Sequence, residues 1–99
     1  MANNDMAYNR LYRAVRKFAV ETPLWGEAIR YYVKPDERFD LTLVSLRCYG
    51  TRAEYIIIQA AAGLDSAEYP LEAQTLVLPT AARLRELRRE AGFDGYEII

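Results

Sequence analysis

The stretch that most limits what this chain can become runs from Tyr31 to Pro79, because its order is strand, helix, helix, strand. Tyr31, Tyr32 and Val33 favour a strand over about residues 30–34, and Pro35 ends it. Asp40 is a good N-cap for the helix that follows. On that helix Leu41, Val44, Ser45 and Cys48 share one face, while Leu43 and Leu46 lie on another. Gly50 suits the C-cap. A further helix is expected from Thr51 or Arg52 to about Ala62. Ile56, Ile57 and Ile58 point three ways on it, and by propensity alone they could equally form a strand. The alanines at 60–62 tip the balance to helix. Residues 63–70 carry turn chemistry, and Thr75–Leu78 reads as the closing strand. A lone pair of short strands is stable only with other elements packed on it. The expected class is therefore α+β, with a two-stranded antiparallel sheet backed by helices.

Helices are expected on both flanks. Over about residues 4–20, Tyr8, Leu11, Tyr12, Val15, Phe18 and Ala19 recur at three- and four-residue spacing, with Arg10, Arg13, Arg16 and Lys17 on the other face. Pro23 ends that helix. Trp25, in the connector, reads either as a core anchor or as an interface residue. Thr80 can cap a last helix, Ala81 to Ala91, with Leu84, Leu87 and Ala91 as its apolar stripe. Arg83, Arg85, Arg88 and Arg89 lie beside that stripe, interleaved with Glu86 and Glu90, and Gly92 stops the helix. The tail, 93–99, is apolar enough to dock on something.

Charge and chemistry narrow the function. The 99 residues carry a net charge of −1, so the whole chain is not an electrostatic nucleic-acid binder. Contact of the basic α-helical face with phosphates, helped by Tyr8 and Tyr12, is a weaker reading than contact with protein, because those tyrosines fall on the apolar face. With no histidine, the commonest general base and metal ligand is missing. One cysteine, Cys48, permits no internal disulfide and favours a reducing compartment. Asp36, Glu37 and Asp40 read as a solvated turn with a helix cap rather than as a hydrolytic pair. The first residues do not resemble a secretory signal, and no apolar run is long enough to span a bilayer. No enzymatic activity, metal or cofactor is expected.

The ordered set of residues resembles the LysM domain, a small binding module. Val33 matches the first strand of that family, Leu41 and Val44 the paired positions of its first helix, and Tyr49-Gly50 the end of that helix. Tyr55 and Ile58 match its second helix, Gly63-Leu64 the exit, and Gln74-Thr75-Leu76-Val77-Leu78-Pro79 the closing strand. About half the chain is covered. Two positions depart from the family. Glu37-Arg38-Phe39-Asp40-Leu41 replaces the usual Gly-Asp-Thr-Leu turn, and Ala62 stands where an asparagine is usual. Both border the groove in which secreted LysM domains hold N-acetylglucosamine chains. The Arg38-Phe39-Asp40 turn is similar to LysM-type proteins of bacteriophage tails and other contractile injection systems.

That resemblance implies a LysM-like unit at 30–79, an N-terminal helix and connector at 1–29, and a C-terminal helix and tail at 80–99. It implies a structural protein of the tail or baseplate, built into the virion in several copies after assembly in the host cytoplasm. The expected partners are tube, wedge or hub proteins, with no membrane and no nucleic acid. The expected partner-binding residues are Arg10, Arg13, Arg16, Lys17, Trp25, Leu43, Leu46, Arg83, Arg85, Arg88 and Arg89. The alternative is a peptidoglycan-binding module, whose groove would be formed by Glu37, Arg38, Phe39, Asp40, Leu64, Asp65 and Ser66.

Overall fold

The computed structural model describes residues 2–93, and their side chains from Met6 onward. Helix α1 runs Ala2–Glu21, strand β1 Ile29–Tyr32, α2 Leu41–Tyr49, α3 Tyr55–Ala62, β2 Thr75–Leu78 and α4 Ala81–Ala91. The architecture is α+β: four helices with one two-stranded antiparallel sheet among the described residues. Ile29 pairs with Leu78, and the register continues to Tyr32 opposite Thr75.

Local chemistry accounts for most boundaries. The Asp40 side chain accepts the Leu43 N–H at 3.2 Å, satisfying one of the donors a helix start leaves unpaired. Thr80 does the same for Arg83 at 3.3 Å. Helix α2 ends where Gly50 turns left-handed at φ +77°, and its N–H returns to Leu46 O. Two expected boundaries differ. Strand β1 begins at Ile29 and stops at Tyr32, although Val33 N–H still donates to Gln74 O at 2.9 Å. Past Val33 the chain leaves the ladder as Pro35–Glu37 coils into a 3-10 turn, and the outward Lys34 N–H donates to the Glu37 carboxylate at 2.6 Å. Likewise α3 does not start at Thr51 or Arg52. Thr51 caps a 3-10 turn, Arg52–Glu54, and α-helix begins only at Tyr55.

Every element contributes to one core. Leu11 and Val15 of α1, Val44 of α2, Ile57 and Ile58 of α3, Leu76 and Leu78 of β2, and Leu84 and Leu87 of α4 are buried together. Each such side chain stabilises the fold by about 1.5–3 kcal/mol. The isoleucine run is helical because Ile57 and Ile58 both find apolar neighbours, from α1 on one side and α2 and β2 on others. Phe93 is buried just past α4 and meets Tyr8 edge-on, with ring centroids 5.3 Å apart. The rest of the expected docking tail, 94–99, lies outside the described residues.

Candidate partner-binding surface

The most exposed large apolar side chains stand on the turn between α1 and β1. Helix α1 ends at Glu21, and the hydroxyl and N–H of the next residue, Thr22, both donate to Phe18 O, at 2.6 and 3.0 Å. Pro23 forces the chain out of the helix, and Gly26 N–H closes the turn on Pro23 O at 2.9 Å. From β1 the Arg30 guanidinium then reaches back, and its Nη2 donates to Pro23 O at 2.8 Å and to Gly26 O at 3.0 Å. At the apex Leu24 is 90% and Trp25 88% exposed. The reading of Trp25 as a core anchor is thus wrong. A Pro-x-Trp-Gly turn is too short to fold its apex back onto the core. Leu24 was not singled out from sequence, and the signal was available in its place between Pro23 and Trp25.

A second apolar feature is the outer face of α2. Leu41, Val44 and Ser45 point inward and Cys48 is half-buried, as their spacing requires. Leu46 is exposed and Leu43 half-buried, so neither flanking helix covers this stripe among the described residues. Burial raises the Cys48 thiol above its usual value, with the Glu37 charge adding to the shift, so the thiol is not primed as a nucleophile.

The basic faces divide into engaged and open cations. Arg16 Nη1 donates to Ala61 O at 3.0 Å, against the C-terminal end of α3. Arg83 pairs with Glu86 at 2.7 Å and approaches Glu90 at 3.9 Å. Arg88 is half-buried and forks onto Glu54, which ties α4 to the start of α3. Arg10, Arg13, Lys17, Arg85 and Arg89 are exposed, and no described carboxylate forms an ion pair with them.

The turn at 36–40 departs furthest from its expectation. Glu37 is not solvated: its side chain has no exposed surface. Tyr31 OH and Lys34 N–H both donate to it, and Arg47 Nη1 pairs with it at 2.6 Å. The same guanidinium forks onto Asp36 at 3.0 and 2.9 Å. Burial pushes the Glu37 carboxyl upward, but its three donors more than offset that and hold it below the usual value. Asp36 is lowered chiefly by its hydrogen bond to Arg47, and Asp40 chiefly by that from Thr42. Both carboxylates facing Arg47 are thus kept ionised, which leaves neither as a general acid. The signal for this cluster was Lys34-Pro35-Asp36-Glu37 itself. Proline at the first position of a helical turn and glutamate at the third form half of a capping box.

The groove residues of the glycan alternative make separate contacts. Leu71 N–H donates to Arg38 O at 2.6 Å, and Arg38 pairs with Glu72 at 3.3 Å. Its guanidinium also lies 5.5 Å from the centroid of the exposed Phe39 ring. Leu64 is instead tied to α1, since Tyr12 OH donates to its carbonyl at 2.8 Å. Asp65, with Tyr12 and Gln59, lines a separate hollow against α1, and Ser66 O accepts Tyr69 N–H at 3.2 Å. Among the described residues no group of three His, Cys, Asp or Glu side chains could hold a metal ion, and no helix is long and apolar enough to cross a membrane.

No family model matches the chain, and no curated protein or solved structure is significantly similar to it.

Proposed function

We propose that this protein is a structural, non-enzymatic LysM-like adaptor of a phage tail or baseplate, joining neighbouring tail proteins through protein contacts. One observation carries the reading: Leu24 and Trp25 are held out in solvent on a turn closed by Gly26 N–H and the Arg30 guanidinium. A large aromatic pre-positioned in this way is the residue type that dominates protein interfaces, and fixing it beforehand lowers the ordering cost of binding. The uncovered Leu43 and Leu46 and the open cations on α1 and α4 extend the contact surface. The polar groups of the 36–40 turn support the same reading over glycan binding. Glu37 is consumed inside the fold and is not presented to a sugar, and one oxygen of Asp40 is committed to capping α2.

The test is the composition of assembled tails. Particles purified from producing cells contain this chain at a fixed ratio to tube protein. Trp25→Ala leaves the circular dichroism spectrum unchanged but lowers incorporation at least about tenfold, the scale of losing one interface hot spot. Insoluble peptidoglycan leaves the chain in the supernatant. Particles lacking the protein would sink the proposal, as would retention on peptidoglycan that N-acetylglucosamine oligomers compete away.

A further inference from the structure

The free edge of β1 carries a pairing rule of its own. In an antiparallel pair, alternate residues turn their N–H and C=O toward the partner strand. Val33 N–H points at Gln74 O, so in the same register Tyr31 and Ile29 also face β2. Arg30 and Tyr32 therefore direct their N–H and C=O groups away from β2. No described residue hydrogen-bonds to these four groups, and β1 is paired only on its β2 side. The next outward donor, Lys34 N–H, is taken by Glu37, so the open edge stops there. What remains is two residues long and bounded. The solvent-side ring of Tyr32 is 63% exposed beside it.

We infer that this edge pairs with the same edge of a second copy, antiparallel about a two-fold axis through Tyr31. Among antiparallel registers, this one uses all four outward groups on each copy. Arg30 N–H donates to Tyr32 C=O of the second copy, Tyr32 N–H donates to Arg30 C=O, and the symmetry repeats both. It also sets Arg30 beside the Tyr32 ring of the second copy on the solvent face, where the guanidinium keeps Nη2 on Pro23 O and Gly26 O and offers only its planar face to the aromatic. On the inner face it sets Ile29 beside Val33. A foreign strand could meet the backbone groups, but nothing at the edge specifies one, whereas Arg30 and Tyr32 complement each other. The product is a four-stranded sheet, β2-β1-β1-β2, in which the two-fold uses up the β1 edge of both copies, so this contact does not repeat. The pairing goes beyond the adaptor reading and does not depend on it, since it can be measured on the isolated protein.

Amide exchange and sedimentation equilibrium over a concentration series decide the matter. The expected result is a monomer–dimer equilibrium in which the Arg30 and Tyr32 amides become protected as concentration rises. The Tyr31 and Val33 amides, which face β2, stay protected throughout. Tyr32→Pro removes an outward N–H and no bond to β2, and it weakens dimerisation at least about tenfold through two lost hydrogen bonds. If that variant does not fold, Tyr32→Lys opposes a cation to Arg30 of the second copy and weakens the dimer similarly. Tyr69→Ala, at an exposed tyrosine away from the edge, leaves it unchanged. A protein that stays monomeric with fast-exchanging Arg30 and Tyr32 amides overturns the inference. So does a dimer that survives the Tyr32 variants, or edge protection that appears only when another protein is added.

Discussion

Glu37 shows how one side chain can serve strand, turn and helix together. Its carboxylate receives the Tyr31 hydroxyl from β1, the Lys34 N–H where the strand ends, and the Arg47 guanidinium from α2. Glu37→Ala strands all three donors around a cavity and is expected to cost about 3 kcal/mol, the usual scale for breaking a buried ion pair. Glu37→Gln keeps the shape and costs less, and urea unfolding of both variants checks the order. The folded carboxyl titrates below its usual 4.5, so it contributes its full stability above that pH and loses it as pH falls through the folded value. Melting temperature of the native chain should therefore drop on acidification below about pH 4.5, and drop less steeply in Glu37→Gln. Some slope persists in the variant because Asp36 and Asp40 are lowered too. Gly63 gives a second test. It sits at φ +73°, and a Cβ there would lie 2.8 Å from Arg16 Cζ. Gly63→Ala thus strains the backbone and displaces the guanidinium that caps Ala61 O, with an expected loss of about 1–2 kcal/mol in chemical denaturation.

Among the elements, the Pro23–Gly26 turn owes its shape to a residue outside it. Arg30→Ala removes both guanidinium hydrogen bonds to the turn but touches no core side chain. The expected outcome is a change in stability under about 1 kcal/mol, with a clear fall in Trp25 fluorescence anisotropy as the apex loosens. Unchanged anisotropy would mean that Thr22 and Gly26 hold the turn unaided. This turn also marks the limit of what was legible in the residues. Helix α4 and strand β2 matched their expected bounds because caps and stops, Thr80, Gly92 and Pro79, are local signals. Helix α3 was legible despite the β-branched run because the alanines after it favour helix. The Glu37 cluster was not, because its burial depends on Arg47 arriving from another helix. The capping-box pattern of Lys34-Pro35-Asp36-Glu37 ties Glu37 to the Lys34 N–H but carries no sign that Tyr31 and Arg47 will enclose it. Nor could spacing alone separate Arg16 and Arg88, drawn onto Ala61 and Glu54, from the arginines left in solvent.

For the molecule as a whole, the question is whether the strand–helix–helix–strand centre can stand without its flanks. The packing says that it cannot. Helix α1 lies against α3, β2 and α4, and its Leu11 and Val15 are as buried as any residue of the centre. Removing residues 1–22 would uncover Ile57, Leu76 and Leu87 together, and two short strands with two short helices have little else to bury. A chain beginning after Thr22 is therefore expected to lose cooperative thermal unfolding. The milder change Leu11→Ala makes the same point without deletion. It should cost about 3 kcal/mol, since Leu11 fills the space between α1 and the rest. On a chain of this size that lowers the melting temperature by about 12–24 °C. Leu24→Ala removes a side chain of the same kind from the exposed apex, so its melting temperature should move by no more than about 2–4 °C. Equal losses at positions 11 and 24 would place the apex inside a contact of the free protein, and Leu24 and Trp25 would then not be available to a partner.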